Sequence, residues 1–121
     1  EYKEGHIVLV DKNQLMEVFL NIILNSIEAM PQGGELRVSS STYKDPKKGI
    51  EFIRVGIADT GCGISPENLT RIFNRYFTTK NEGTGLGLAV VDRIVKAHGG
   101  CVSVESEPEK GTTFLVDLPA I

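Results

Sequence analysis

The apolar residues of this chain change their spacing along its length, from every third or fourth position to every second and back. Leu15, Phe19, Ile22, Ile23, Ile27 and Met30 recur at three- and four-residue intervals, the period of one helix face. Asp11 stands where a helix cap belongs, Gln14 can close the capping box, and Pro31-Gln32-Gly33-Gly34 ends the run. Period two then takes over. Leu36 and Val38 alternate with polar neighbours, and Ile53, Val55 and Ile57 do so beyond a turn at Tyr43-Lys44-Asp45-Pro46-Lys47-Lys48-Gly49, which predicts a hairpin with Asp59 continuing the inward parity. Ser65-Pro66-Glu67 opens a short helix with Leu69, Ile72, Phe73, Tyr76 and Phe77 on its apolar side. A second long helix ends at His98, stopped by Gly99-Gly100. Val102 and Val104, then Phe114, Val116 and Leu118, form a closing hairpin around Glu107-Pro108-Glu109-Lys110-Gly111, and Ile7-Val8-Leu9-Val10 is a short strand ahead of the first helix. Strand pairs joined by short turns and interleaved with two long helices predict an α/β two-layer sandwich, a sheet with helices on one face.

A length of 121 residues is that of one domain, and with no tryptophan and 7% aromatic residues its core has to be mostly aliphatic. Sixteen acids against thirteen bases leave a net charge of −3, which argues against a nucleic acid or an anionic membrane surface as the main partner. No apolar run approaches the roughly 18 residues that span a bilayer. The amino end starts without methionine and has no secretory apolar stretch, so the chain reads as a cytoplasmic piece, monomeric by itself, of a longer protein whose attachment to a membrane the sequence leaves open. Cys62 and Cys101 lie outside any metal-ligand spacing and read as free thiols in a reducing compartment.

Three constellations carry chemistry. Glu17, Asn21, Asn25 and Glu28 make one polar stripe on the first helix, and asparagines are poor helix formers that suit a functional floor better than a solvated face. Their amides can ligand Mg²⁺ through oxygen and donate to phosphate through nitrogen. Asp59 points inward, where a bare carboxylate is costly unless it meets a donor, and Thr60-Gly61-Cys62-Gly63 lets a flat ligand approach the backbone. An adenine amino group is one candidate donor, and a self-capped strand end is the alternative. Gly83-Thr84-Gly85-Leu86-Gly87-Leu88 enters a helix amino end, where free N–H groups and the helix dipole favour an anion, although the run is neither a Walker loop nor a Rossmann fingerprint. Lys80 lies three residues before that ladder, placed to add a cation over phosphates. His98, in the last helical turn, reads as a structural imidazolium favoured by the dipole, and His6 has no motif around it.

Taken together and in this order, these segments resemble the catalytic and ATP-binding domain of sensor histidine kinases, within the superfamily shared with gyrase, Hsp90 and MutL. The stretch Asn21-Ile22-Ile23-Leu24-Asn25-Ser26-Ile27-Glu28-Ala29-Met30 resembles the family's N box, and Asp59-Thr60-Gly61-Cys62-Gly63-Ile64 its G1 box. Residues 73–77 resemble the F box, 83–88 the G2 box, and Gly111-Thr112-Thr113-Phe114 the last box. The resemblance implies the Bergerat fold, a mixed sheet of about five strands covered on one face by about three helices, as one domain over residues 1–121 with 65–82 as a lid over ATP. By position, Asn25 would ligand Mg²⁺, Asn21 would line the same floor, and Asp59 would accept from the adenine amino group. Gly61, Gly63 and Ile64 would shape the base pocket, and Thr113 would support Asp59 from the neighbouring strand. Gly83, Thr84, Gly85, Leu86, Gly87 and Leu88 would hold the phosphates, and Phe73 and Phe77 would attach the lid.

Two departures from the family pattern bear on mechanism. Glu28 stands where many members carry Lys or Arg, which shifts the phosphate cation to Lys80. Asn21 stands where the gyrase and Hsp90 branch has a glutamate that activates water, and an amide cannot be that base, so slow ATP hydrolysis is expected. The implied reaction is transfer of the ATP γ-phosphoryl group to a histidine on a separate helical dimerisation domain, absent here, for relay to a response-regulator receiver domain. Neither His6 nor His98 has the acidic helical context of a phosphoacceptor, so the isolated chain is not expected to phosphorylate itself. A serine kinase of the anti-sigma type, a gyrase- or MutL-like ATPase and a non-catalytic nucleotide sensor remain the alternatives.

Overall fold

The computed structural model describes residues 10–69, 71–73 and 87–120. The elements are α1 (Lys12–Glu28), β1 (Leu36–Lys44), β2 (Glu51–Asp59), α2 (Pro66–Leu69), α3 (Gly87–Ala97), β3 (Cys101–Glu107) and β4 (Gly111–Pro119). The four strands form one antiparallel sheet in the order β1-β2-β4-β3. This is the expected sandwich, with four strands among the described residues, all antiparallel where a mixed sheet of about five was expected. Of the expected first strand, residues 7–9 lie outside the described residues, and Val10 packs against the core without joining the sheet.

α1 starts where its cap dictates, with the Asp11 carboxylate accepting from the Gln14 N–H at 3.0 Å. The fully buried line of α1 is Val18, Ile22 and Ser26, with Leu15, Phe19 and Ile23 packed beside it. Ile27, expected inside, is exposed together with Met16, Leu20 and Leu24, because the helix presents a narrower face to the sheet than its apolar content suggests. α3 buries Val91, Ile94 and Val95, and the two helices meet Ile57, Phe114, Val116 and Leu118 of the two central strands in one aliphatic core.

His98 joins the two long helices. Its Nε2 accepts from the Asp11 N–H at 2.9 Å and its Nδ1 faces the Ile94 carbonyl at 2.8 Å, so the partners assign a neutral ring with the proton on Nδ1. The dipole argument for an imidazolium is therefore corrected, since a proton on Nε2 would remove the acceptor that Asp11 uses.

The strands of the first hairpin run further than expected, with Tyr43 and Lys44 inside β1. Tyr43 stacks on Phe52 at 5.5 Å, with the Arg54 guanidinium 4.9 Å from its ring centre. These side chains lie on the face of the sheet away from the helices. There Asp117, 2% exposed, accepts from Arg54 at 2.8 and 2.9 Å and from the Tyr43 hydroxyl at 3.0 Å, with the Cys101 thiol at 3.8 Å. Burial, reinforced by Asp117, pushes the Tyr43 and Cys101 protons toward higher pH, and the hydrogen bond to Asp117 holds the Arg54 charge. Cys62 and Cys101 are both free thiols.

Candidate nucleotide-binding site

Asp59 ends β2 on the helix-covered face and is 6% exposed. Its Oδ1 accepts from the Gly61 N–H at 2.8 Å, whereas Oδ2 is buried with no donor among the described residues. A carboxylate oxygen in that state costs free energy comparable to a lost charged hydrogen bond unless a donor arrives from outside the chain. The self-capping alternative accounts for Oδ1 and not for Oδ2.

The described residues around Asp59 have their own hydrogen-bond partners and leave Oδ2 without a donor among them. The register pairs Asp59 with Thr112 and Ala58 with Thr113, so Thr112 shares its face and Thr113 points to the other. The supporting position expected of Thr113 is thus corrected to Thr112, which is 5% exposed. The Ser106 hydroxyl donates to the Gly111 carbonyl at 2.9 Å and lies 2.8 Å from Thr112 Oγ1. Since Ser106 has one hydrogen, Thr112 is the donor between the two hydroxyls, and its proton is not available to Asp59. Ser106 also accepts from the Ile64 N–H at 2.8 Å, tying the 60–64 loop to the second hairpin.

Gly61 and Gly63 are demanded by the protein before any ligand is considered. A Cβ on Gly61 would lie 2.8 Å from the Cβ of Ala29, at the end of α1. Gly63 has φ +73°, and a Cβ there would collide with the Glu107 carbonyl. The Cys62 N–H donates to the Ala29 carbonyl at 3.1 Å and the Glu109 N–H to the Cys62 carbonyl at 2.6 Å. The loop after Asp59 is thereby pinned between helix and hairpin, which fixes the direction in which Oδ2 points. Ile64 packs its side chain on the core.

On α1 the polar stripe has half-buried Asn21 and Asn25 at its centre and exposed Glu17 and Glu28 at its ends. Gly87, the first residue of α3, faces Asn21, whose Oδ1 is 3.6 Å from where a Cβ on Gly87 would stand. The start of α3 and the asparagine stripe therefore converge. Leu88 follows in the first turn with its side chain on the core. Ile72 is buried, and Phe73 meets the Phe114 ring edge-on at 6.4 Å. Lys80, Gly83, Thr84, Gly85, Leu86 and Phe77, and with them most of the expected lid, lie outside the described residues. The sequence motifs do not single out Ser106, Thr112 or Ser26. For Thr112 the signal is present, because counting in twos from Phe114 reaches it.

Residues 10–121 match the model of the family described as histidine kinase-, DNA gyrase B-, and HSP90-like ATPase. The chain belongs to this family. Its relatives include the sensor histidine kinase ZraS of Escherichia coli K12, 44% identical over 112 residues, and sporulation kinase C of Bacillus subtilis 168, 41% identical over 116. Those matches cover 93% and 96% of this chain but 23% and 26% of the relatives, so the chain spans about a quarter of their length. Among solved structures, a mycobacterial sensor histidine kinase, MprB, superposes with a TM-score of 0.81 at 31% identity, over 95% of this chain and 76% of that one. Full-length ShkA in complex with AMPPNP superposes with a TM-score of 0.76 at 32% identity, over 93% and 23%. The sandwich of this ATPase-family domain is thus the histidine kinase ATP-binding fold. No helix among its described residues is long and apolar enough to cross a membrane.

Proposed function

We propose that this domain binds Mg-ATP between α1, the 60–64 loop and the start of α3, and positions the γ-phosphoryl group for transfer to a histidine on a separate helical domain of the same protein. The observation that carries this reading is Asp59 Oδ2, buried and without a donor among the described residues, at the start of a loop pinned on both sides. The adenine amino group is a donor of the right kind. Asn21 beside Gly87 then marks where phosphates would meet the positive end of α3, an eleven-residue helix whose dipole favours an anion there.

The donor set also suits magnesium. Among the described residues no group of three or more His, Cys, Asp or Glu side chains is gathered to hold a metal by itself. Asn25, one turn from Asn21, offers an amide oxygen of the hard type Mg²⁺ prefers, and the remaining ligands would be phosphate oxygens and water. Bound there, the ion would neutralise charge developing on the transferred group. The work of the chain itself is to fix the base through Asp59, hold the phosphates at the start of α3, and leave Asn21, an amide, in the position from which a carboxylate would activate water. Hydrolysis is then slow and the phosphoryl group is kept for a protein acceptor.

That acceptor lies on another domain in this reading, because both ring nitrogens of His98 are engaged with Asp11 and Ile94. A receiver domain of a response regulator would take the group next. The test is incubation with γ-labelled ATP of the chain alone and of the chain with the histidine-bearing helical domain. Acid-labile, base-stable label on the helical domain only is the expected result. Label on a serine of an added protein would instead favour the serine-kinase alternative, and label stable on the isolated chain would overturn the assignment of the acceptor.

A further inference from the structure

The solvent side of α1 is apolar where a surface helix is ordinarily charged. Met16, Leu20 and Leu24 follow one another at four-residue steps, and Ile27 lies beside Leu24 three residues on, so the four form one strip along the helix. Each is between 47 and 61% exposed. At 3.6 residues per turn the strip is centred roughly 150° round the helix from the buried line of Val18, Ile22 and Ser26, so it takes no part in the core that α1 makes with β2 and α3.

The size and the symmetry of the strip say what covers it. With about half of each of four large side chains in water it presents roughly 400 Å² of contiguous apolar surface, the range in which a patch on a monomer is often functional. A standard interface buries about 800 Å² on each partner, about 65% of it apolar in homodimers, so the strip supplies most of the apolar part of such a contact. A contact between identical copies further needs a surface that complements itself. Met16, Leu20 and Leu24 are one evenly spaced i, i+4 ridge, so a twofold axis at Leu20 sets Leu20 against its own copy and Met16 against the partner's Leu24 at both ends. Two such ridges interdigitate in the commonest class of helix packing, crossing at about 50°. The strip contains no Lys, Arg, Asp or Glu, so no like charges meet at the axis.

We propose that α1 is a self-association surface and that two copies of this chain pair through Met16, Leu20, Leu24 and Ile27 about a twofold axis at Leu20, in place of the monomer expected from the sequence. The inference stands apart from the nucleotide reading. Asn21 and Asn25 lie on the adjoining flank of the same helix, so the pairing would set the two proposed nucleotide sites on either side of one helix pair.

The experiment is sedimentation velocity of the 121-residue chain from about 5 to about 500 μM, beside Leu20→Lys, Leu24→Lys and, as a control at an exposed apolar position of β1, Val38→Lys. Wild type is expected to pass from monomer to dimer with a midpoint on the order of 10–100 μM, as a contact at the low end of interface size allows. Leu20→Lys, which brings two charges together at the axis, and Leu24→Lys should each raise that midpoint at least about tenfold, whereas Val38→Lys should leave it within about twofold. All three positions face water in the free chain, so melting temperatures within about 3 °C of wild type would show that the variants are folded. A wild type that stays monomeric over the whole range would overturn the inference. So would association that both α1 variants leave unchanged or that Val38→Lys removes, because the contact would then lie elsewhere, and so would masses that climb past the dimer without a plateau.

Discussion

Replacing Asp117 by alanine removes a carboxylate to which side chains of the three other strands are bonded: Tyr43 of β1, Arg54 of β2 and Cys101 of β3. Asp117 is almost fully buried, while the Arg54 side chain keeps 39% of its exposure. Breaking a buried ion pair costs about 3–5 kcal/mol, and because Arg54 can turn to water the value belongs at the low end, about 3 kcal/mol. For a domain of this size each kcal/mol moves the melting temperature by about 4 °C, so Asp117→Ala should melt about 12 °C below wild type. Asp117→Asn keeps the shape and one acceptor oxygen and should lose about half as much. Thermal unfolding followed by far-UV circular dichroism reads both values. Nucleotide affinity of the folded variants should stay within twofold of wild type, since the cluster lies across the sheet from Asp59. A loss below about 3 °C for Asp117→Ala would refute the weight given to the network, and a large affinity loss in a well-folded variant would refute its separation from the site.

Asp59→Asn keeps an acceptor for the Gly61 N–H and puts an N–H where Oδ2 was, so adenine nucleotides should bind at least tenfold more weakly with no fall in melting temperature; affinity within threefold of wild type would count against the base assignment. Thr112→Val should lower stability by about 1 kcal/mol through its lost bond to Ser106, whereas Thr113→Val, on the other face, should leave nucleotide affinity unchanged; titration and melting of the two variants side by side decide it. Tyr43 and Cys101 hold their protons more tightly folded than unfolded, so what they contribute to stability is complete below their ordinary values of 10.0 and 9.0 and is lost as pH rises through the folded values. The denaturation midpoint should therefore fall between about pH 8 and 11, and a Tyr43→Phe, Cys101→Ala double variant should fall less over the same range; parallel curves would contradict the sign.

The sandwich and the buried Asp59 were legible because both follow from period-two parity, which fixes the face of a residue as soon as its strand is recognised. The same count selects Thr112 over Thr113, so that error came from matching a motif by its hydroxyls and not by its parity. Tyr43 and Lys44 read as turn residues beside Asp45-Pro46, whereas the stacking of Tyr43 on Phe52 and its bond to Asp117 hold the strands paired that far. His98 illustrates a different limit: a local dipole predicts its charge, but a partner 87 positions away in the chain sets its tautomer. Ser26 looked like an ordinary member of the N box, since nothing in a helical spacing says whether a buried hydroxyl finds a partner. By sequence, Gly61 and Gly63 read as room for a ligand, and contacts with Ala29 and Glu107 show that the fold itself requires them.

In the proposed reading, the buried Asp59 carboxylate and a Mg²⁺-dependent phosphate site make this chain a nucleotide-binding domain. Calorimetric titration of the wild-type chain with a non-hydrolysable ATP analogue, with and without Mg²⁺, tests it most directly. Binding in the micromolar to low millimolar range, roughly −8 to −4 kcal/mol, that weakens when Mg²⁺ is removed is the expected result. No heat of binding at millimolar analogue in the presence of Mg²⁺, from a chain that melts cooperatively, would contradict it.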